Sequence, residues 1–374
     1  MGVGIELPEK RLTFSRELTG DNIDTIVADG IEAERLGFDT VWVPDHLVDI
    51  SPVQAMTDTW TTLAFIGAKT QKIRLGSGVT DIQRMHPAKI ANSVATLDRL
   101  TKGRAVLGIG AGEIMNTKPY GIPWEEKKIR IKRLRETIQV AKALWSSSYG
   151  KPANFSGEFY SLRDAHLSLS PIQKPGPPVY IGAFSSKGML KLTGELAEGW
   201  YPGSQNTPEV YQEKVNLIRD SAAKADRSGE IDMIASVPTV VCTDEKRKDE
   251  LLAEIKQSLK TTLILSQYLL PVIGVKEGDL SEPLPKELDY QLATPGPAYD
   301  RALSEAVNQL SIPDEILQRA IDKLIAFGSV DDCISVIEKF IRAGATQIFF
   351  ANFVASKENY ETIGREIIPR LSRG

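Results

Sequence analysis

Short apolar runs alternate with amphipathic stretches along most of the chain. Eight runs rich in β-branched and other apolar residues predict strands, at residues 3–7, 40–43, 73–79, 104–109, 179–182, 199–202, 233–242 and 347–351. Between them, apolar residues recur at helical spacing, at residues 21–36, 58–69, 87–100, 125–145, 187–196, 208–224, 246–263, 330–343 and 358–371. The first strand ends lie about 35–40 residues apart, the length of one strand–helix unit. The pattern predicts an α/β fold, a (β/α)8 TIM barrel, with a doubly wound sheet as the alternative.

Two segments interrupt this rhythm and are predicted to be insertions. Residues 150–178 have no helical pattern and are rich in Pro, Ser and Gly. Residues 268–320 combine an apolar patch, an acidic stretch and several prolines, with a helix expected over 298–309. We expect this second insertion to be a lid or a subunit contact. Since no linker or low-complexity stretch separates the parts, residues 1–374 are expected to form a single barrel domain.

The composition and charge of the chain limit the classes of protein to which it can belong. The chain has 374 residues, 45 Lys and Arg against 49 Asp and Glu, and a formal charge of −4, which gives no support for a nucleic-acid partner. Cys242 and Cys333 lack metal-ligand spacing and are expected to be reduced thiols in a cytoplasmic protein. No apolar run is long enough to span a membrane, and no signal peptide is recognisable. A cytoplasmic enzyme acting on a small molecule, without a metal or a membrane partner, is the expectation.

Two glycine-rich stretches, residues 76–81 (GSGVTD) and 108–113 (GIGAGE), follow predicted strands and end in an acid. Small residues at the end of a strand let a flat ligand approach the backbone, and an adjacent carboxylate can handle a proton. The glycines could also serve only to close a barrel strand with a tight turn. A dinucleotide fingerprint is disfavoured because Glu113 stands where its last glycine belongs. The two stretches together favour a barrel enzyme that holds a flavin-like ring.

Other candidate residues follow predicted strands, where barrel enzymes collect their active-site groups; they are Glu6, Asp45, His46, Thr80, Asp81, Glu113, Asn116, Ser185, Ser186 and Lys187. Residues 181–188 (IGAFSSKG) open a helix, so their amides, hydroxyls and lysine could form a phosphate cradle. Ordinary helix capping by Ser185 or Ser186 is the alternative. His46 could donate a proton or be structural, and Glu6 could instead pair with a nearby basic residue.

The basic run at residues 127–135 is predicted to be a solvated helix face. Its apolar positions Ile129, Ile131 and Leu134 leave most of the charges free to face water. Contact with an acidic cofactor tail is the alternative.

Several segments together resemble one family. Residues 38–46 (FDTVWVPDH), 76–87, 100–113 and 180–187 running into 197–200 (AEGW) are similar to the bacterial luciferase-like superfamily, in its branch that uses the deazaflavin coenzyme F420. The resemblance covers residues 3 to about 241, and 327 to the end. Within that branch, residues 4–6, 346–348 and 364–369 resemble the methylenetetrahydromethanopterin reductases, and residues 79–120 resemble the phthiodiolone ketoreductases.

The resemblance implies roles for particular residues. Gly78 and Val79 would form a non-proline cis peptide against the deazaflavin ring. Glu113 would protonate the substrate, with His46 assisting and Glu6 near the substrate. The cofactor would be held by Asp45, His46, Gly78, Val79, Thr80, Asp81, Gly110, Gly182, Ala183, Ser185, Ser186 and Lys187. The family also implies a homodimer or homotetramer.

The expected function is an F420-dependent oxidoreductase that transfers a hydride between F420H2 and an electrophilic carbon. As a general acid, Glu113 would need to be protonated, and burial is expected to keep it so. A methylene-tetrahydromethanopterin-like pterin is the first substrate expectation, and a ketone or secondary alcohol is the second. An FMN-dependent luciferase-like monooxygenase and a barrel that binds F420 without turnover are the alternatives.

Overall fold

The computed structural model describes residues 12–18, 23–48, 56–203, 205–227, 229–276, 278–351 and 356–372. In chain order the strands are β1 (Thr13–Glu17), β2 (Thr40–Val43), β3 (Arg74–Ser77), β4 (Thr80–Asp81), β5 (Ala105–Gly110), β6 (Ala153–Ser156), β7 (Ser161–Ala165), β8 (Val179–Gly182), β9 (Gly199–Tyr201), β10 (Asp232–Ser236), β11 (Thr239–Val241), β12 (Ala326–Gly328) and β13 (Gln347–Phe350). The α-helices are α1 (Ile23–Arg35), α2 (Thr59–Lys69), α3 (Pro87–Leu100), α4 (Lys127–Trp145), α5 (Lys187–Leu196), α6 (Pro208–Lys224), α7 (Lys248–Leu265), α8 (Leu269–Val272), α9 (Pro297–Gln309), α10 (Asp314–Leu324), α11 (Val330–Arg342), α12 (Lys357–Thr362) and α13 (Ile368–Leu371).

Eight of these strands pair in parallel and close on themselves. The ring runs from β1 through β2, β3, β5, β8, β9 and β10 to β13, and β13 pairs back to β1 with Thr13 opposite Gln347. A sheet that closes in this way with helices outside it is a TIM barrel. The predicted barrel is confirmed, and the doubly wound alternative is wrong.

Large aromatic side chains pack together on the strands of the barrel. Trp42 lies 5.1 Å from Tyr201 and 5.5 Å from Tyr180, measured between ring centroids. Glycines on neighbouring strands make room for these rings. A Cβ atom on Gly76 would overlap the ring of Trp42, and one on Gly199 would lie 2.5 Å from the ring of Tyr180. These buried rings form a packed cluster inside the barrel, and the site of such a barrel lies at the carboxyl ends of its strands.

The first strand of the described barrel is β1, which the sequence did not predict. Segment 3–7, with its candidate Glu6, lies outside the described residues. The pattern of β1 was hard to recognise because Ser15 and Arg16 are buried although they are polar. The guanidinium of Arg16 lies 3.8 Å above the ring of Tyr360, which lets this polar strand pack against the outer helices.

Two predicted elements are interrupted at prolines. The predicted strand 233–242 divides at Pro238 into β10, which belongs to the barrel, and β11, which pairs with β12. Proline has no N–H for a central sheet ladder. The predicted last helix divides into α12, a π-helical turn at Ile363–Ile367 and α13, which contains Pro369.

Both insertions are present and are structured. Residues 150–178 contain the antiparallel hairpin of β6 and β7, and residues 268–320 contain α8, the expected α9 and the start of α10, which the sequence did not predict. Helices α7 to α10 share a second apolar core, which includes Leu263, Leu288, Leu303, Ile316 and Ile321. None of the described helices is long and apolar enough to cross a membrane.

Candidate active site

A cavity of about 520 Å³ lies where the barrel strands end. Most of the residues predicted for the site line it, namely Asp45, His46, Gly78, Val79, Thr80, Asp81, Gly110, Glu113, Gly182, Ala183, Ser185 and Ser186. The barrel therefore brings together residues that are far apart in the chain. Lys187 does not line the cavity, and Glu6 lies outside the described residues.

The peptide bond between Gly78 and Val79 is cis, as the resemblance implied. The glycines on the neighbouring strands leave space for the Val79 side chain, which lines the cavity. A Cβ atom on Gly110 would lie 2.8 Å from Cγ2 of Val79, and one on Gly182 would lie 3.0 Å from the same atom. These glycines therefore do more than expose backbone to a ligand. They also make room for the side chain of Val79, and Gly78 and Val79 together form one wall of the cavity.

His46, Glu113 and Asn116 form one cluster beside this wall. Nδ2 of Asn116 lies 3.0 Å from Nδ1 of His46 and 3.4 Å from Oε2 of Glu113. The backbone N–H of Leu47 donates to Oδ1 of Asn116 at 2.7 Å, which fixes the orientation of the amide. Nδ2 is therefore the donor, and Nδ1 of a neutral His46 accepts, so that its proton is on Nε2. Glu113 keeps 29% of its side chain exposed, so the burial expected from the sequence is only partial.

A second cluster links the loops after β2 and β4. Arg84 lies 3.0 Å from the carboxylate of Asp45 and 3.5 Å from Oδ2 of Asp81, and it also donates to the backbone carbonyl of Asp45. Asp81 accepts from the backbone N–H of Gln83 at 2.6 Å. The pKa of Asp81 is raised to about 6, mainly by burial and also by the charges of Glu113 and Asp45. The hydrogen bond from Gln83 and the charge of Arg84 act in the opposite direction. Arg84 was not predicted, and it anchors the residue that precedes His46.

Arg130 supports the loop that carries Glu113. Its Nη1 donates to the carbonyls of Ala111 and Gly112 at 3.2 Å, and its guanidinium lies 3.8 Å above the ring of Trp124. Burial lowers the pKa of this guanidinium, and the charge of Asp81 opposes that effect. Arg130 belongs to the basic run at residues 127–135 and has a structural role at the site. The prediction that this run is a solvated helix face did not include that role.

The starts of α4 and α5 meet at the cavity. A Cβ atom on Gly188 would lie 3.1 Å from Cδ1 of Ile131, which shows how closely the two helices approach. Ser186 precedes α5 and its side chain does not cap the helix, so ordinary capping does not explain this serine. Lys127 at the start of α4 also lines the cavity. Lys127 and Lys187 are both exposed, but only Lys127 lines the cavity, so Lys127 replaces Lys187 as the candidate cation.

The second insertion covers part of the cavity. Tyr268, Tyr290 and Gln291 of this insertion line it, together with Ser266 at the end of α7. The rings of Tyr268 and Tyr290 lie 6.2 and 5.6 Å from the ring of Phe184, in the loop after β8. This aromatic contact joins the insertion to the loop that bears Ser185 and Ser186.

These groups can perform proton transfer but do not form a metal site. Among the described residues, no group of three or more His, Cys, Asp or Glu side chains could hold a metal ion. The cavity contains the carboxylate of Glu113 and the imidazole of His46, both next to the amide of Asn116. It also has a wall of small residues, and the start of α5 lies near Lys127. Such a site suits an organic cofactor with a flat ring and an anionic group.

The model of the family described as luciferase-like monooxygenase matches residues 9–347. This chain belongs to that family. A 5,10-methylenetetrahydromethanopterin reductase of Archaeoglobus fulgidus is 30% identical over 342 residues, 91% of this chain and 93% of its own. An F420-dependent glucose-6-phosphate dehydrogenase of Microbacterium testaceum is 29% identical and covers 92% of both chains. A phthiodiolone/phenolphthiodiolone dimycocerosates ketoreductase of a Mycobacterium species is 32% identical over 67% of both chains.

Several solved structures share the fold of this chain. The coenzyme F420-dependent tetrahydromethanopterin reductase of Methanopyrus kandleri superimposes with a TM-score of 0.77 at 24% identity, covering 96% of this chain and 99% of its own. An F420-dependent secondary alcohol dehydrogenase gives 0.76 at 19% identity with the same coverage. The monooxygenase RslO1 of Streptomyces bottropensis gives 0.68 at 16% identity, also covering 96% and 99%. The family resemblance found in the sequence is confirmed.

Proposed function

We propose that this protein is an F420-dependent oxidoreductase that transfers a hydride between F420H2 and an electrophilic carbon of a small substrate. The observation that carries the proposal is the cluster of His46, Asn116 and Glu113 beside the wall formed by Gly78 and Val79. The name of one relative favours F420 over FMN, since a protein that is similar over 92% of this chain is an F420-dependent dehydrogenase.

The residues of the cavity fit such a cofactor. The wall at Gly78 to Asp81, with Gly110 and Gly182 beside it, would hold the ring. Ser185, Ser186 and Lys127 would hold the phosphate, because helix-start amides, hydroxyls and an amine suit an anion. When bound, F420 supplies or accepts the hydride, while the protein contributes position and proton transfer.

Glu113 is proposed to exchange the proton that accompanies hydride transfer. His46, with its proton on Nε2, would bond the substrate or the ring, and Asn116 would keep that tautomer. Arg84 would keep Asp45, and with it His46, in place. The preferred substrate is a methylene-tetrahydropterin, because the reductase named above is 30% identical over nearly the whole chain. A ketone or secondary alcohol is the second candidate, supported by the ketoreductase match.

The first test is a fluorescence titration of the purified protein with F420 and, separately, with FMN. Micromolar binding of F420 alone is expected, followed by F420H2 oxidation in the presence of methylene-tetrahydromethanopterin or a ketone. Glu113→Gln should bind F420 normally but transfer hydride about 10²–10⁴-fold more slowly, the range that acid–base catalysis contributes. Preference for FMN with consumption of oxygen would instead indicate a monooxygenase, and binding of F420 without any turnover would indicate a storage or sensing role.

A further inference from the structure

One side of the cavity lies across the barrel from the wall formed by Gly78 and Val79. Gly78 follows β3, and in the closed ring of strands β10 and β13 stand opposite β3 and β5. Ser236 on β10 and Phe349 on β13 both line the cavity there. A flat ring that rests with one face on the wall turns its other face towards these two strands. The side of β10 and β13 is therefore where a substrate would meet the ring.

The register of the strands places Ser236 and Phe349 side by side. They are paired residues of neighbouring parallel strands, so their side chains point to the same face of the sheet. Phe349 belongs to the aromatic cluster inside the barrel, and its ring lies 5.8 Å from that of Tyr201. Ser236 follows Ile234 of the same cluster by two residues, so it also points inward. Tyr201, Ser236 and Phe349 together form the floor of the cavity.

The hydroxyl of Ser236 is unused within the described part of the chain. Ser236 is 6% exposed and lines the cavity, and no hydrogen bond joins its hydroxyl to another described residue. Ser15 flanks Phe349 on the other side, but it is fully buried, does not line the cavity and has an enclosed hydroxyl without a partner. The hydroxyl of Ser236 is not enclosed in this way, so it is open to the cavity. A largely buried hydroxyl without a partner is costly, and a ligand that bonds to it removes that cost.

We propose that the substrate lies between the cofactor ring and the floor of the cavity, with a planar group against Tyr201 and Phe349 and a hydrogen bond to the hydroxyl of Ser236. The proposal rests on the proposed function and deepens it by naming a specificity residue and the side from which the substrate meets the ring. Aromatic faces bind planar groups well. Both substrate candidates have a planar group with polar atoms, since a pterin ring carries amide and amine groups and an aryl ketone carries a carbonyl.

The test measures substrate binding to the protein that holds oxidised F420, which has no hydride to give. Methylene-tetrahydromethanopterin and acetophenone are titrated separately, and the fluorescence of F420 reports their binding. Ser236→Ala should raise the Kd of the compound that the unaltered protein binds by about 3- to 10-fold, the effect of one neutral hydrogen bond. The Kd for F420 should not change. In turnover with F420H2, KM should rise by a similar factor and kcat should stay the same, because the bond is made in the ground state and the transition state alike.

Ser15→Ala is the matched control, because it removes an unpartnered hydroxyl from the other neighbour of Phe349 without touching the cavity. It should leave the Kd values for F420 and for the substrate unchanged. Both variants should melt at the same or a higher temperature than the unaltered protein, since neither loses a hydrogen bond. A lower melting temperature for Ser236→Ala would show that its hydroxyl is bonded within the protein, and equal effects of the two variants on substrate binding would show a general change of the barrel. Either result would overturn the proposal.

The remaining outcomes separate this proposal from the proposed function. Unchanged substrate binding in Ser236→Ala, with F420 bound normally, would overturn only the role of Ser236. Weaker binding of F420 in that variant would place the hydroxyl in the cofactor site and would also overturn that role alone. Failure of the unaltered protein to bind F420 would overturn the proposed function itself. Binding of F420 without binding or turnover of either compound would overturn both.

Discussion

Nδ2 of Asn116 donates a hydrogen bond to Nδ1 of His46 across 3.0 Å, although the two residues are 70 positions apart in the chain. Oδ1 of the same amide accepts from the backbone N–H of Leu47. One side chain therefore fixes both the loop that carries His46 and the tautomer of its ring. Asn116 follows Glu113 by three residues, so the same short turn positions the acid and the imidazole.

Asn116→Asp should slow hydride transfer without loosening the loop. A carboxylate can still accept from the N–H of Leu47, but it cannot donate to Nδ1 of His46, so the imidazole would carry a proton on the wrong nitrogen. We expect the rate of a single turnover to fall by about 100-fold, the lower end of an acid–base contribution, with F420 affinity unchanged. Asn154→Asp, on the exposed hairpin of β6 and β7, is the control. A normal rate in Asn116→Asp would show that the tautomer of His46 does not matter.

Asp81→Asn should make the protein more stable at neutral pH. The pKa of Asp81 is about 6 in the folded protein, above its ordinary value of 3.8, mainly because the carboxyl is buried. Between these values the folded state holds a proton that the unfolded state has lost, so the free energy of unfolding falls as the pH rises from about 4 to 6. The full penalty, about 3 kcal/mol, applies above pH 7.

An asparagine at position 81 keeps the acceptor for the N–H of Gln83 and has no charge to desolvate. Urea unfolding of Asp81→Asn at several pH values should therefore give a shallower loss of stability between pH 4 and 6 than in the unaltered protein. Asp331→Asn, at a side chain that is 79% exposed, should leave the pH profile unchanged. If Asp81→Asn is less stable at pH 7.5, then the ion pair with Arg84 outweighs the burial of the carboxyl.

Lys127→Ala should weaken cofactor binding. Lys127 lines the cavity where α4 and α5 begin, and its amine is the cation proposed for the phosphate. We expect the Kd for F420 to rise about 3- to 10-fold, the effect of one partly exposed charged contact, and the difference to shrink in high salt. Lys128→Ala is the matched control, because Lys128 is 78% exposed and pairs with Glu126. Equal effects of the two substitutions would mean that F420 binding depends on the overall charge of α4 and not on a contact with Lys127.

Gly110→Ala should destabilise the barrel through contact with Val79. The new Cβ would lie 2.8 Å from Cγ2 of Val79, and overpacking of this kind costs about 1–3 kcal/mol. Thermal unfolding should show the loss, and adding Val79→Ala should recover most of it. Gly150→Ala, where a Cβ would meet no atom within 4 Å, should be neutral. If Val79→Ala does not restore the stability lost in Gly110→Ala, then the loss comes from the backbone at position 110 and not from contact with Val79.

The sequence predicted features that depend on neighbours in the chain. The alternation of apolar runs and amphipathic stretches predicted the barrel, and the two glycine-rich stretches predicted where the cavity wall lies. Asp45, His46 and Glu113 were recognised because active-site residues of a barrel follow its strands. The single domain over residues 1–374, the homo-oligomer and the cytoplasmic location stay predictions.

Other features were decided only by the tertiary structure. Strand β1 was missed because the polar residues Ser15 and Arg16 are buried by partners distant in sequence. The role of Asn116 depends on His46, 70 positions away. Lys127 replaces Lys187 because the fold places the start of α4 beside the cavity. The part of the cavity that Tyr290 lines exists only because the second insertion folds over the barrel. Apolar periodicity and turn residues are local properties of the chain, whereas the partner of a polar side chain is set by which distant segments the fold brings within hydrogen-bonding distance.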